Sequence, residues 1–195
     1  MAVTRHDIAA DVVRRRMSLD EFLALPEAEP ALEYAGGVVT QKVAPQAQHV
    51  RLQLNFAMCV NAFAEPRKLA SAFPELRTTY AGLSRVPDVA IYLWGRIPRL
   101  PSGRISNRLS EPPDVAVEIV SPGQSVTDQV SKCIWYVKNG VRIALIVDPD
   151  RDVVLRFRPD ALPDVLSGDD RIDLDEVLPG FELTVDQLFG SLVLD

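Results

Sequence analysis

Two strand-like segments of this chain carry carboxylates where apolar side chains are the rule. The tetrad Pro87-Asp88-Val89-Ala90 recurs as Pro113-Asp114-Val115-Ala116, at the start of the apolar runs Val86–Trp94 and Asp114–Val120. Side chains alternate between the faces of a strand. Asp88, Ala90 and Tyr92 therefore share one face of the first run, and Asp114, Ala116, Glu118 and Val120 share one face of the second. Glu118 lies mid-run, between Val117 and Ile119. An isolated buried carboxylate is costly unless it is paired, protonated or bound to a metal. Two readings are open for Glu118: a metal ligand, or half of a structural ion pair with an arginine. Asp88 and Asp114 each follow a proline at a strand start, where a turn-forming aspartate is common, so position alone singles out neither.

The next charged pair is Asp128 and Lys132, four residues apart and so on one face of a helix. An exposed pair of this kind contributes only a few tenths of a kcal/mol. A strand–helix–strand crossover instead sets the helix beside the C-terminal end of its strand, where α/β sites lie, and aims Lys132 at the carboxylates. Between the two strands, Gly95–Ser110 holds Arg96, Arg99, Arg104 and Arg108 and no acidic residue. Its Pro, Ser and Gly content predicts a mobile loop. Arginines there suit a phosphodiester backbone, or simply balance an acidic surface.

The elements that must position these residues read as follows. Ser18 with Glu21 forms a capping-box start for a short helix that Pro26 ends. A hairpin follows, with Gly36-Gly37 between Leu32-Glu33-Tyr34 and Val38-Val39. A helix over 46–63 would bury Val50, Leu54, Ala57, Met58 and Phe63. Strands are expected at 69–73, 75–80, Val86–Trp94 and Asp114–Val120, the last turning at Ser121-Pro122-Gly123. A helix over 126–139, with Val130, Ile134 and Val137 inward, stops at Asn139-Gly140. A strand at Val141–Asp148, a hairpin around Val153–Arg158 and a short helix at 184–190 complete the series. The order predicts a mixed α/β sheet with helices on its faces, and a parallel crossover from Asp114 to Asp148.

The chain has 195 residues, enough for one domain, here 17–195 after a loose leader at 1–16. Hydrophobic residues make up 47% and charged residues 25%, ordinary values for a globular protein. The net charge of −6 argues against a non-specific DNA coat but leaves room for a locally positive cleft. No apolar run reaches the length of a membrane span, and no signal-peptide pattern follows Arg14-Arg15-Arg16. Cys59 and Cys133 fall in different helices, outside any metal-type cluster, as reduced thiols of a cytoplasmic protein would.

Pro87-Asp88, then Val117-Glu118-Ile119-Val120-Ser121-Pro122, then Asp128 with Lys132, resembles the Uma-two family of endonucleases in the PD-(D/E)XK superfamily. The resemblance runs from Met17 to about Phe189 and includes Ser18 to Leu23, Glu33 to Gly37, His49, Tyr136 to Val141, Val147 to Pro149 and Leu178 to Phe181. It implies a restriction-endonuclease-like fold and a Mg²⁺- or Mn²⁺-dependent endonuclease acting on DNA, with Asp88 and Glu118 as metal ligands. Lys132 then substitutes for the superfamily's lysine two residues after the glutamate, where this chain has Val120. The resemblance also makes Glu33 the upstream acid, the alternative being a hairpin charge, and has His49 orient a phosphate or water, the alternative being a helix-capping or partly buried histidine. Gly36-Gly37-Val38 departs from the family's Asp-Gly-Glu, so two acidic positions are missing. The alternative is a non-catalytic protein of the same fold that binds nucleic acid or a protein partner. A homodimer is expected if both strands are cut, since that needs two sites.

Overall fold

The computed structural model describes residues 16–122 and 124–194. The expected leader, apart from Arg16, and Gly123 of the expected turn lie outside them. Along the chain run α1 (Leu19–Leu23), β1 (Leu32–Ala35), β2 (Val38–Gln41), α2 (Ala47–Ala64), β3 (Ala70–Pro74), β4 (Thr78–Tyr80) and β5 (Leu83–Arg85). Then come β6 (Val89–Leu93), β7 (Val115–Ile119), α3 (Val126–Lys138), β8 (Ile143–Asp148), β9 (Val153–Phe157), β10 (Asp164–Ser167) and α4 (Val185–Gly190). The larger sheet has the order β10-β9-β8-β7-β6-β3, and the smaller one β2-β1-β5-β4.

Every residue of β7 and β8 is buried, as in strands covered on both faces. This is the parallel pair of the larger sheet, with Glu118 level with Ile146, and α3 joins the two strands. One face packs on α2 and α4, where Leu52, Phe56, Val60 and Leu188 meet Ile91, Val117 and Leu145. Truncating Phe56 there would cost about 3–5 kcal/mol. The other face packs on α3 through Cys133 and Tyr136, against the small side chains of Ala116 and Ala144. Ser125 caps α3 by accepting from the Asp128 N–H at 3.3 Å. The helix stops where Gly140 takes φ +101°, and a Cβ there would meet Pro112 Cγ at 3.1 Å. Among the described residues no helix is long and apolar enough to cross a membrane, and both cysteines are free.

Several expectations need correcting. On α2 the buried face is His49, Leu52, Gln53, Phe56, Ala57, Val60 and Ala64, while Val50, Leu54 and Met58 are exposed. Apolar residues occupy both sides of this helix, and the stripe Leu52, Phe56, Val60 and Ala64 faces in, together with His49 and Gln53. On α3 it is Gln129, Cys133 and Tyr136 that are buried, and Ile134 is exposed. The strands expected at 69–73 and 75–80 belong to different sheets, because the chain crosses between sheets at Glu75, which takes φ +50°. β5 was not anticipated. The arginine segment forms a hairpin, with Arg99 bridged to Ile105 and Leu109 bridged to Thr78.

Candidate active site

The last ladder pair between β6 and β7 is Val89 with Val117. One residue further along each strand stand Asp88 and Glu118. By alternation they share the face of Ala90 and Ala116, so the two carboxylates project side by side. Both are buried. The smaller sheet adds Glu33 from β1, Lys42 from just beyond β2 and Arg85 from β5. Helix α3 adds Lys132 and Tyr136, four apart and on one face.

Lys132 joins the first half of the cluster. Its Nζ lies 2.8 Å from Glu33 Oε1 and 2.9 Å from Glu118 Oε1. The Tyr136 hydroxyl donates to Glu118 Oε1 at 2.7 Å. Glu33 also accepts from the Val86 N–H at 2.8 Å and pairs with Arg85 at 3.3 Å. Burial pushes the Glu118 carboxyl up to about 7, helped by Asp88 and Glu33 and only partly opposed by Lys132. Burial would also raise Glu33, but Lys132 and Arg85 hold it below its ordinary value. Burial would lower Lys132, yet Glu118 and Glu33 hold it above.

Lys42 joins the second half. Its Nζ lies 2.6 Å from Asp88 Oδ1 and donates to both carboxylate oxygens of Glu75 and to the Val86 carbonyl, each at 3.0 Å. The other Asp88 oxygen accepts from the Ile119 N–H at 2.6 Å. Gln53 ties the acids together, donating to the Asp88 carbonyl at 2.8 Å and to Glu75 at 3.1 Å. His49 places Nδ1 3.0 Å from Ser121 Oγ and Nε2 3.3 Å from Asp88 Oδ1. The second contact falls short of hydrogen-bond geometry, so buried Nε2 is without a hydrogen-bond partner. Burial would raise Asp88, but His49 and Lys42 hold it well below the usual carboxylate range. Burial would lower Lys42, and Asp88, Glu118 and Glu75 together hold it above its ordinary value.

A cleft of about 850 Å³ opens over this second half and is lined by Lys42, His49, Gln53 and Glu75, with Arg77 and Arg108 among its other residues. Asp88 lies beneath that lining, in contact with Lys42 and His49. The donor set fits a divalent ion. One ligand atom each from His49, Glu75 and Asp88 lie within 4.8 Å of one another, and carboxylate oxygens with one imidazole suit Mg²⁺ or Mn²⁺.

Asp88, Glu118, Lys132, Glu33 and His49, all anticipated from sequence, thus meet in one cluster. Asp128 does not join it: it is exposed in the first turn of α3, and Lys132 turns away from it to the buried acids. Asp114 is a structural residue, accepting from the Leu93 N–H at 2.8 Å and from Arg96 at 2.7 Å. Arg96 is thereby committed to the fold. Arg99 bonds the Trp94 carbonyl and stacks over the Trp94 ring at 5.5 Å. Arg104 and Arg108 are exposed, and Arg108 lines the cleft. Lys42, Glu75, Gln53 and Tyr136 were missed. One signal was available: the chain has four lysines among its 21 basic residues, and the site uses two. Gly36, Gly37 and Val38 are not among the cleft residues, so the acids missing there are not missing from this lining.

The mixed sheet, the helices on its faces and the paired carboxylates define a restriction-endonuclease-like fold. A family model described as "Putative restriction endonuclease" (Uma2) matches residues 19–186, and the chain belongs to that family. The chain is similar to a crystal structure from Anabaena variabilis ATCC 29413, described as a "putative nuclease belonging to DUF820". Identity is 36%, with 91% of this chain and 99% of that chain covered, at a TM-score of 0.88. A cryoEM structure of a DrdV–DNA complex matches at 11% identity and a TM-score of 0.36, over 70% of this chain and 11% of that one. No curated protein matches the chain.

Proposed function

We propose that this protein is a divalent-metal-dependent nuclease that hydrolyses phosphodiester bonds of DNA. The observation that carries the reading is the convergence of Asp88, Glu118, Glu33 and Lys132 in one buried cluster, with a cleft opening over its Asp88 side. Asp88 and Glu118 would hold Mg²⁺ or Mn²⁺, which supplies an activated water and offsets charge on the scissile phosphate. The chain's own groups do the rest. The Ile119 N–H fixes Asp88, and Tyr136 and Lys132 fix Glu118, so both carboxylates are oriented before substrate arrives. Lys132 keeps a buried positive charge between Glu33 and Glu118, where it favours a phosphate oxygen brought to that side. Arg108 in the cleft and Arg104 at the hairpin tip offer cations to the nucleic-acid backbone.

A second reading has its own support. Each buried carboxylate of the cluster already has a cationic neighbour in Lys42, Lys132 or Arg85, as a non-catalytic protein that binds nucleic acid or a protein partner would need. Incubation with plasmid and single-stranded DNA in Mn²⁺ decides between them. Cleavage by the wild type that is lost in Asp88→Asn and in Glu118→Gln, with folding intact, supports the nuclease. DNA retention without cleavage supports the second reading.

A further inference from the structure

We propose that the Lys42 ammonium group is an internal cation that holds the metal position of this site, and that a divalent ion binds by displacing it into the cleft. The ion's ligands then include Glu75 and His49 as well as the buried acids. The inference rests on the reading that Asp88 and Glu118 bind a divalent ion, and it identifies what competes with that ion.

The coordination around Lys42 Nζ is the first argument. Four oxygens surround it: Asp88 Oδ1 at 2.6 Å, and Glu75 Oε1, Glu75 Oε2 and the Val86 carbonyl at 3.0 Å each. Three carboxylate oxygens and one backbone carbonyl are the donors a hard cation selects. An ammonium group needs only three acceptors. Glu118 also adds to the negative field on Lys42, so the group sits where the acids of the site sum.

His49 is the second, independent argument. It is 6% exposed and points Nε2 at this oxygen set without making a hydrogen bond. Lys42 cannot satisfy it as an acceptor there, because the ammonium is engaged by the carboxylates. Ser121 Oγ can accept from Nδ1–H, and an entering ion selects that tautomer, in which the unpartnered Nε2 offers its lone pair 3.3 Å from Asp88 Oδ1. An oxygen acceptor that fixes the tautomer in this way is the usual companion of a metal-bound imidazole.

Charge and access complete the case. Glu33, Glu75, Asp88 and Glu118 face Lys42, Lys132 and Arg85, so the cluster is close to neutral before any ion enters. Adding a divalent ion without moving a cation would put like charges together on Asp88 Oδ1. Lys132 is enclosed by Glu33, Glu118 and Tyr136. Lys42 lines the open cleft, and its long stem can carry the ammonium into solvent. Lys42 is therefore the group that yields.

The test is calorimetric titration with Mn²⁺ of the wild type, Lys42→Met, Lys42→Met with Glu75→Gln, and Asp88→Asn, each checked for native circular dichroism. Lys42→Met is expected to bind Mn²⁺ at least tenfold more tightly than the wild type, and the gain is expected to disappear when Glu75→Gln is added. Unchanged or weaker binding in Lys42→Met overturns the displacement, while loss of binding in Asp88→Asn leaves the metal reading standing. Binding that survives Asp88→Asn removes the metal reading itself, and absence of binding in wild type and Lys42→Met alike removes both. A measurement on the wild type alone guards against a misfolded variant. In a ¹⁵N-labelled sample, Mg²⁺ should move the Lys42 ammonium resonance toward that of exposed Lys68. A Lys42 resonance unmoved at saturating Mg²⁺ overturns the proposal.

Discussion

Asp88 accepts a hydrogen bond at 2.6 Å from the backbone N–H of Ile119, the residue that follows Glu118. The bond crosses from β6 to β7 just beyond the last regular ladder pair, so the Asp88 side chain extends the sheet where its backbone has left it. This ties the Asp88 carboxylate to the main chain of β7 beside Glu118. Side chains then finish each carboxylate separately: Tyr136 and Lys132 for Glu118, Lys42 for Asp88. The result is preorganised, and it keeps several formal charges in a region that water barely reaches. Such an arrangement holds only while every partner is present.

Removing Lys132 tests that dependence. Lys132→Met leaves Glu33 and Glu118 buried without their shared cation, a change expected to cost about 3–5 kcal/mol. Adding Glu33→Gln and Glu118→Gln should recover part of the loss, because neither buried carboxylate is then left charged, and only Arg85 loses a partner. Urea unfolding of the three proteins measures both effects. A single variant as stable as the wild type would mean that Lys132 is not the cation on which the two glutamates depend.

Glu118 also predicts a pH dependence with a definite sign. Its carboxyl is raised by burial to about 7, from an ordinary value of 4.5. Between those limits the unfolded chain has released the proton and the folded chain has kept it. The stability from this group is therefore complete below about 4.5 and is lost as the pH rises through 7. A gap of that width corresponds to about 3 kcal/mol. Asp88 and Glu33 are held below their ordinary values, so their contributions fade at lower pH, outside this window. Urea midpoints of metal-free wild type and Glu118→Gln, measured from pH 4.5 to 8, isolate the effect. The wild type should lose stability relative to the variant across that range, and parallel curves would exclude a raised Glu118.

How much of this was legible in the sequence depended on how locally each residue is specified. Glu118 was conspicuous because a carboxylate inside Val117-Glu118-Ile119 has no inexpensive place in a covered strand. Lys132 followed from helical spacing once the crossover was read. The same spacing paired it with Asp128, but long-range attraction to buried acids outweighed that exposed neighbour. Lys42 and Glu75 left no such trace, since both lie at element ends where charged residues are ordinary. Their roles come from contacts 33 and 46 positions apart in the chain, Lys42 to Glu75 and Lys42 to Asp88, created when the two sheets meet. The buried face of α2 was misread because the helix carries two apolar stripes, and periodicity alone does not choose Leu52, Phe56, Val60 and Ala64 over Val50, Leu54 and Met58.

The arginines of the hairpin now separate into two kinds, and that division is the last prediction. Arg108 is exposed and lines the cleft, so Arg108→Ala should weaken DNA binding with little effect on stability. Its salt dependence should be shallower by roughly one unit of log–log slope, as for one phosphate contact removed. Arg96 instead bonds buried Asp114 at 2.7 Å and the Pro112 carbonyl at 3.0 Å. Arg96→Ala should lower the unfolding midpoint, because Asp114 keeps Arg142 only at 3.5 Å and loses its best cation. DNA affinity per folded molecule should be nearly unchanged. Fluorescence anisotropy over a series of salt concentrations, beside urea melts, reads both properties. Equal effects of the two substitutions on both would show that the hairpin acts as one binding loop, as its composition suggested, and not as a structural half and a binding half.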